Sequence, residues 1–133
     1  MARAFLDTNV LVYAFSDDPR ARAAETLLAE GHDTGVQVLN EFTNIARRKL
    51  GMEWPEVSEA LAAIRVICRA IHPIDLPTHE QAIILAAEHG FSIYDALIVA
   101  AALRAGCAVL HSEDMQHGRM IGSLRINNPF GSG

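Results

Sequence analysis

Short apolar runs and amphipathic stretches alternate along this chain, each closed by a glycine, a proline or a polar cluster. Arg3 to Leu6 is an apolar run of strand length, and the apolar segment Thr8 to Phe15 that follows reads as a helix. Asp17-Asp18-Pro19 has the form of a cap with proline at the first helical position. It predicts a helix over Pro19 to Glu30, closed by Gly31. Thr34 to Val36 is a short strand. Gln37 to Leu50 is amphipathic, with Val38, Leu39, Phe42, Ile45, Ala46 and Leu50 on one side and Gly51 as its stop. Trp54-Pro55 begins a helix that runs to about Ala70, and His72 to Leu76 is a strand. Thr78-His79-Glu80-Gln81 has capping-box spacing and opens a helix to about His89, stopped by Gly90. Ile93 to Ala105 is apolar nearly all round, the mark of a central buried helix. Cys107 to Leu110 and Leu124 to Ile126 supply the last strands.

Strands alternating with helices predict a parallel sheet with helices on both faces. Right-handed crossovers put the C-terminal ends of all the strands on one edge, where ligands bind in such folds. Polar residues directly after strands are therefore the candidates for chemistry. The 133 residues make one domain, 1–133, with its own core, and are too few for two ordinary ones. Half the residues are hydrophobic and 20% are charged, which excludes wholesale disorder. Acids outnumber Lys and Arg by 16 to 11, giving a net charge of −5. That balance disfavours a protein that wraps duplex nucleic acid without specificity, and leaves a local basic patch open. Cys68 and Cys107 form no C-x-x-C pair and read as reduced core filler of a cytoplasmic protein. The longest apolar stretch, Ala96 to Leu103, is far short of the about 20 residues of a membrane span. No targeting segment is expected, because the first apolar run meets Asp7 at once.

Four carboxylates hold positions that meet in an alternating fold. Asp7 follows the first strand, and Asp114 follows the Cys107 to Leu110 strand after His111-Ser112-Glu113. Asp95 lies in the first turn of the most apolar helix, and Glu41 borders the apolar stripe of the Gln37 to Leu50 helix. Each also has a plain structural reading. Asp7 can cap the helix after it, and Ser92-x-x-Asp95 has capping-box spacing in a turn the helix dipole favours. Asp114 can cap a turn before Met115, and Glu41 can be a solvated helix residue. Those readings do not account for four acids converging. Two carboxylates about 4 Å apart repel by about 4 kcal/mol at an effective dielectric of about 20. Oxygen-only ligands suit Mg²⁺ or Mn²⁺, and such an ion activates water against a phosphodiester. The chemistry these residues point to is metal-dependent phosphodiester hydrolysis.

Asp7-Thr8-Asn9 after a strand, Glu41 on an amphipathic helix, Ile93-Tyr94-Asp95-Ala96 opening an apolar helix, and Ser112-Glu113-Asp114 after a late strand together resemble the PIN-domain family. The likeness runs over the whole chain. Within the family, Ser112-Glu113-Asp114-Met115-Gln116-His117-Gly118 is similar to VapC-type toxins of bacterial toxin–antitoxin pairs. The resemblance implies a three-layer α/β/α fold with a short central parallel sheet, and a Mg²⁺- or Mn²⁺-dependent endoribonuclease. By position, Asp7, Glu41, Asp95 and Asp114 match the acidic metal-site residues, with Ser112 a supporting hydroxyl and Asn9 a polar neighbour. Many relatives carry a further acid where this chain has Gln116, a departure that bears on a second metal site. The resemblance also implies a homodimer, and an antitoxin whose C-terminal segment lies over the metal site.

On this reading Asp7, Asp95 and Asp114 hold the metal, Glu41 is a ligand or orients water, and Arg48 and Arg119 meet RNA phosphates. Apolar helices starting near Thr8 and Trp54 are the expected interface. His111 and His117 flank the site as surface or structural residues. The alternatives are a catalytically silent PIN-like module that binds RNA or protein, and a haloacid-dehalogenase-like phosphatase. The phosphatase needs an acid two residues after Asp7, where this chain has Asn9.

Overall fold

A computed structural model describes residues 3–131, so the first two and last two positions of the expected 1–133 domain lie outside the described residues. The elements run β1 (Ala4–Leu6), α1 (Thr8–Ala14), α2 (Ala21–Ala29), β2 (Asp33–Gly35), α3 (Val36–Arg48) and α4 (Trp54–Ile67). They continue as β3 (Ala70–His72), α5 (Leu76–His89), α6 (Ile93–Arg104), β4 (Val109–His111), β5 (Met120–Ile121) and β6 (Leu124–Asn127). The six strands form one sheet in the order β3-β2-β1-β4-β6-β5. All neighbours are parallel except β5, which pairs antiparallel with β6 at the edge. A mostly parallel sheet flanked by helices is the fold expected from the alternating pattern.

The register decides what the sheet can present. Leu6 of β1 lies opposite His111 of β4, so the next residues, Asp7 and Ser112, emerge together at the C-terminal edge. The side chains of β1 are buried throughout, so this strand reads as an unbroken apolar run. Phe5, Leu6 and Leu110 are fully buried, with Phe42 of α3 and Ile98 of α6 packed against them. Burying each such side chain contributes about 1.5–3 kcal/mol. Residues Ala96 to Ala102 of α6 are all buried, which is why its sequence has no polar stripe. Gly35 ends β2 where a Cβ would stand 3.0 Å from the Phe5 ring and 3.4 Å from the His72 carbonyl, so glycine lets α3 start tight against the sheet.

Several boundaries differ from the pattern-based expectation, each for a local reason. The second helix begins at Ala21 rather than Pro19, because the Asp18 carboxylate accepts from the Arg20 N–H at 2.9 Å and closes a turn. β2 starts at Asp33 because pairing with Arg69 allows that acid inside a strand. The same pairing, with the Arg69 N–H donated to the His32 carbonyl, ends α4 at Ile67 and starts β3 at Ala70. The cap of α5 is Asp75, not Thr78. Its carboxylate accepts the Thr78 N–H at 2.9 Å, so the helix starts at Leu76 and shortens the preceding strand. β5 was not expected from its two residues, which pair only through the turn at Gly122. Among the described residues no single helix is long and apolar enough to cross a membrane.

Candidate active site

Asp7 sits at the junction of β1 and α1 and is only 3% exposed. Its Oδ1 accepts the Thr8 N–H at 2.6 Å and its Oδ2 accepts the Ser112 hydroxyl at 2.6 Å. It is also the residue that caps α1, so its structural duty is real as well. Burial pushes its pKa up to about 7; the Ser112 and Thr8 hydrogen bonds oppose the rise, and the charges of Glu41 and Asp95 add to it. Asp95 is raised too, by burial first and then by Glu41 and Asp114. Three of the expected carboxylates thus act on Asp95 or Asp7 through space, and the fourth is held beside them.

Glu41 has both oxygens engaged. Thr8 Oγ1 donates to one at 2.9 Å, and Gln37 Nε2, one turn earlier on α3, donates to the other at 3.0 Å. Asp114 lies in the loop after β4 and accepts from Asn9 Nδ2 at 3.2 Å. Asn9 Oδ1 accepts the Glu113 N–H at 3.2 Å, so one side chain of α1 grips this loop twice. The turn there bonds to Ser112, whose hydroxyl lies 3.4 Å from the Met115 N–H, and not to Asp114. At α6, Ser92 Oγ accepts the Asp95 N–H at 3.1 Å; among the described residues the carboxylate does not return the bond, and it stays available.

Beyond Ser112 and Asn9, which the sequence offered as supports, further residues surround this cluster. Thr8 and Gln37 orient Glu41. Glu113 accepts from the Tyr13 hydroxyl and, at 2.8 Å, from Arg20 Nη1, while the Arg20 guanidinium lies 4.2 Å over the Tyr13 ring. Gln37 was legible from its four-residue spacing to Glu41. The Tyr13–Arg20–Glu113 group joins residues about a hundred positions apart, and only the fold reveals it.

The basic candidates divide. Arg48 is exposed at the end of α3, beside Asn44 and Lys49. Arg47 instead donates to the Met52 carbonyl at 3.0 Å and lies over the Trp54 ring. Arg119 donates to the His89 carbonyl at 2.8 Å and covers the Phe91 ring at 4.5 Å, which gives it a structural task. His117 Nδ1 accepts the Asn128 N–H at 3.0 Å. His111 is pushed down to about 4 by burial and by neighbouring His32. Gln116 is exposed.

One contrast separates this cluster from an ordinary set of acids. Asp33 is 1% exposed, yet Arg69 binds both its oxygens at 2.8 and 2.9 Å and His72 adds a third bond at 2.9 Å. Burial alone would raise its pKa, but those partners outweigh it and hold the carboxyl below its usual range. Among the described residues none of Asp7, Glu41, Asp95 or Asp114 is ion-paired. Their donors are oxygens only, the chemistry that hard divalent cations prefer. Among the described residues no group of three or more His, Cys, Asp or Glu side chains is drawn together as a closed ligand set. The donor chemistry therefore fits a divalent cation, while the side chains share an electrostatic field rather than a finished cage.

The profile of the PIN domain family matches residues 4–121. A search of curated proteins gave no match. Among solved structures, VapC20 of Mycobacterium tuberculosis, a sarcin-ricin loop cleaving toxin, is similar at 26% identity and a TM-score of 0.69, covering 84% of this chain and 89% of that one. A toxin–antitoxin complex from Klebsiella pneumoniae is similar at 20% identity and a TM-score of 0.74, covering 96% and 98%. VapBC2 from Rickettsia felis, bound to a promoter DNA fragment, is similar at 18% identity and a TM-score of 0.68, covering 93% and 96%. At those identities the last two speak for the fold alone.

Proposed function

Because this chain belongs to the PIN domain family, we propose that it is the toxin ribonuclease of a toxin–antitoxin pair and hydrolyses RNA phosphodiester bonds at the acidic cluster. The observation that carries this reading is the set of four carboxylates without a cationic partner at the C-terminal edge of the sheet, in a protein that neutralises its other buried acid, Asp33, with Arg69. The similarity to a sarcin-ricin loop cleaving toxin supports RNA as substrate. The similarity to VapC20, itself a toxin, supports a cognate antitoxin as partner. An arginine of that antitoxin would pair with the carboxylates and block them.

Asp7, Asp95 and Asp114 would hold Mg²⁺ or Mn²⁺, with Glu41 as a further ligand or as the base. Bound there, the ion supplies charge neutralisation at the phosphate and lowers the pKa of water. The chain's own residues prepare the rest. Ser112 and Thr8 fix the Asp7 carboxyl from both sides. Thr8 and Gln37 fix Glu41, which as the base would take a proton from the water that attacks phosphorus, while the departing RNA oxygen would gain a proton from solvent as its bond breaks. Asn9 holds Asp114 against the cluster. A homodimer is part of the same proposal: Leu76, Ile83 and Ile84 of α5 and Val66 of α4 leave an exposed apolar surface. Of the surfaces expected near Thr8 and Trp54, the first is partly covered, since α2 packs on α1 and Val12, Tyr13 and Phe15 are half-buried, while Trp54 is exposed.

The test is a metal-titrated RNA cleavage assay on wild type and Asp7→Asn. Cleavage that depends on Mg²⁺ or Mn²⁺ and is lost in the variant is expected, together with a metal-induced rise in Tm that the variant lacks. Equal turnover by the purified variant would remove Asp7 from catalysis.

A further inference from the structure

We propose that the depression beside Glu41 and Asp95 is a nucleobase pocket, in which Tyr94 stacks an unpaired base of the RNA strand next to the phosphate that is cut. The proposal rests on the nuclease reading above and extends it to how substrate is held.

The depression has a volume of about 430 Å³ and is lined by Gln37, Asn40, Glu41, Asn44, Tyr94 and Asp95. Tyr94 is 60% exposed in the first turn of α6, directly before Asp95. Among the described residues its ring has no aromatic or cationic partner. An exposed tyrosine alone means little. Its surroundings give it meaning. Asn40 and Asn44 are exposed one turn apart on α3, and each amide offers a donor and an acceptor side by side, the pattern that matches a base edge. A π-face flanked by such amides is how proteins hold bases that have left the helical stack. A duplex shields its base faces, so the ligand class is a single strand, a loop or a bulge.

Charge along α3 gives the strand a direction. Glu41 stands at the acidic end, Asn40 and Asn44 are neutral, and Arg48 and Lys49 line an adjoining hollow of about 480 Å³ that also touches Asn44. Seven residues of helix separate Glu41 from Arg48, a rise of about 10 Å. A base on Tyr94 thus leaves one flanking phosphate at the acidic cluster and the next at the cations. An arginine-bearing peptide matches the acids and leaves Arg48 and Lys49 unmatched, whereas the phosphates of a nucleic-acid strand meet those cations.

The experiment measures binding of short single-stranded RNA oligonucleotides in EDTA at low salt, where no cleavage occurs. Each oligonucleotide carries one abasic position with the backbone intact. The full chain is compared with Tyr94→Phe, Tyr94→Ala and Asn44→Ala, whose folding is checked by thermal melting. One position is expected where losing the base weakens binding by about tenfold in wild type and Tyr94→Phe. In Tyr94→Ala the intact oligonucleotide should bind as weakly as the abasic one, with Asn44→Ala intermediate. Indifference of wild type to every base, or Tyr94→Ala binding the intact oligonucleotide as tightly as wild type, would overturn the pocket. If wild type still cleaves the intact oligonucleotide when metal is added, the nuclease reading survives that result. If it neither binds nor cleaves, both fall together. Unchanged RNA binding with lost binding of an arginine-bearing peptide would make the depression a protein-binding surface instead.

Discussion

Asp7 caps a helix, accepts two short hydrogen bonds and sits in the field of two other acids, all from one buried position. Its raised pKa has a consequence for stability. A carboxyl that titrates near 7 when folded and near 4 when unfolded binds more protons in the native state across that interval, so its contribution to stability falls as pH rises. Asp7→Asn removes this dependence. The variant's gain in Tm over wild type should grow from about pH 4 to about pH 7 in chelator, as measured by calorimetry. His111 acts in the opposite sense, since a histidine held down to about 4 is stabilising when neutral and loses that contribution as pH falls from 6.5. The difference between variant and wild type isolates Asp7 from it. Asp7 and Asp114 were legible because they follow strands, Asp95 because it opens a helix, and Glu41 from its place at the border of an apolar helical stripe. Asp33 was not, because its meaning comes from Arg69, 36 residues away.

The loop that carries Asp114 has no regular structure of its own and is held by α1 and the start of α2. Asn9 grips it at Glu113 and Asp114, and Tyr13 and Arg20 clamp the Glu113 carboxylate. Tyr13→Phe and Arg20→Ala should each lower kcat by about tenfold or more through misplacement of Asp114 while KM changes less, as read from steady-state cleavage kinetics. Capping gives a second test. Asp75→Ala should cost about 1 kcal/mol in denaturant unfolding, because α5 loses the carboxylate that accepts the Thr78 N–H. Helix existence and type were clear from periodicity, while starts were less so. Asp18 was read as part of a cap and is diverted to Arg20, whereas Asp75, read as strand, takes the capping role expected of Thr78. β5 escaped notice because two residues carry no periodicity, and their pairing is decided by β6.

An acidic molecule must still receive a polyanion. The net charge of −5 opposes RNA at long range, so the exposed cations near the site have to guide it locally. Arg48→Ala should weaken RNA binding and reduce the salt slope by about 1. Arg119→Ala should instead lower Tm with the slope nearly kept, since its guanidinium is spent on the His89 carbonyl and the Phe91 ring. Binding titrations at several salt concentrations, paired with melting curves, separate the two. The sheet edge as a site follows from the alternating pattern, but the division of labour between these arginines required the packing.

The bond from Ser112 to Asp7 spans 105 residues, and β4, which brings it, is inserted between β1 and β6 in the finished sheet. A chain made from its N-terminus therefore holds Asp7 and Glu41 long before Ser112 and Asp114 are added. Until β4 slots in, β1 lacks one of its two neighbours and Asp7 lacks the Ser112 hydroxyl. The surroundings of the acidic cluster are thus completed in a single late event, when β4 joins the sheet.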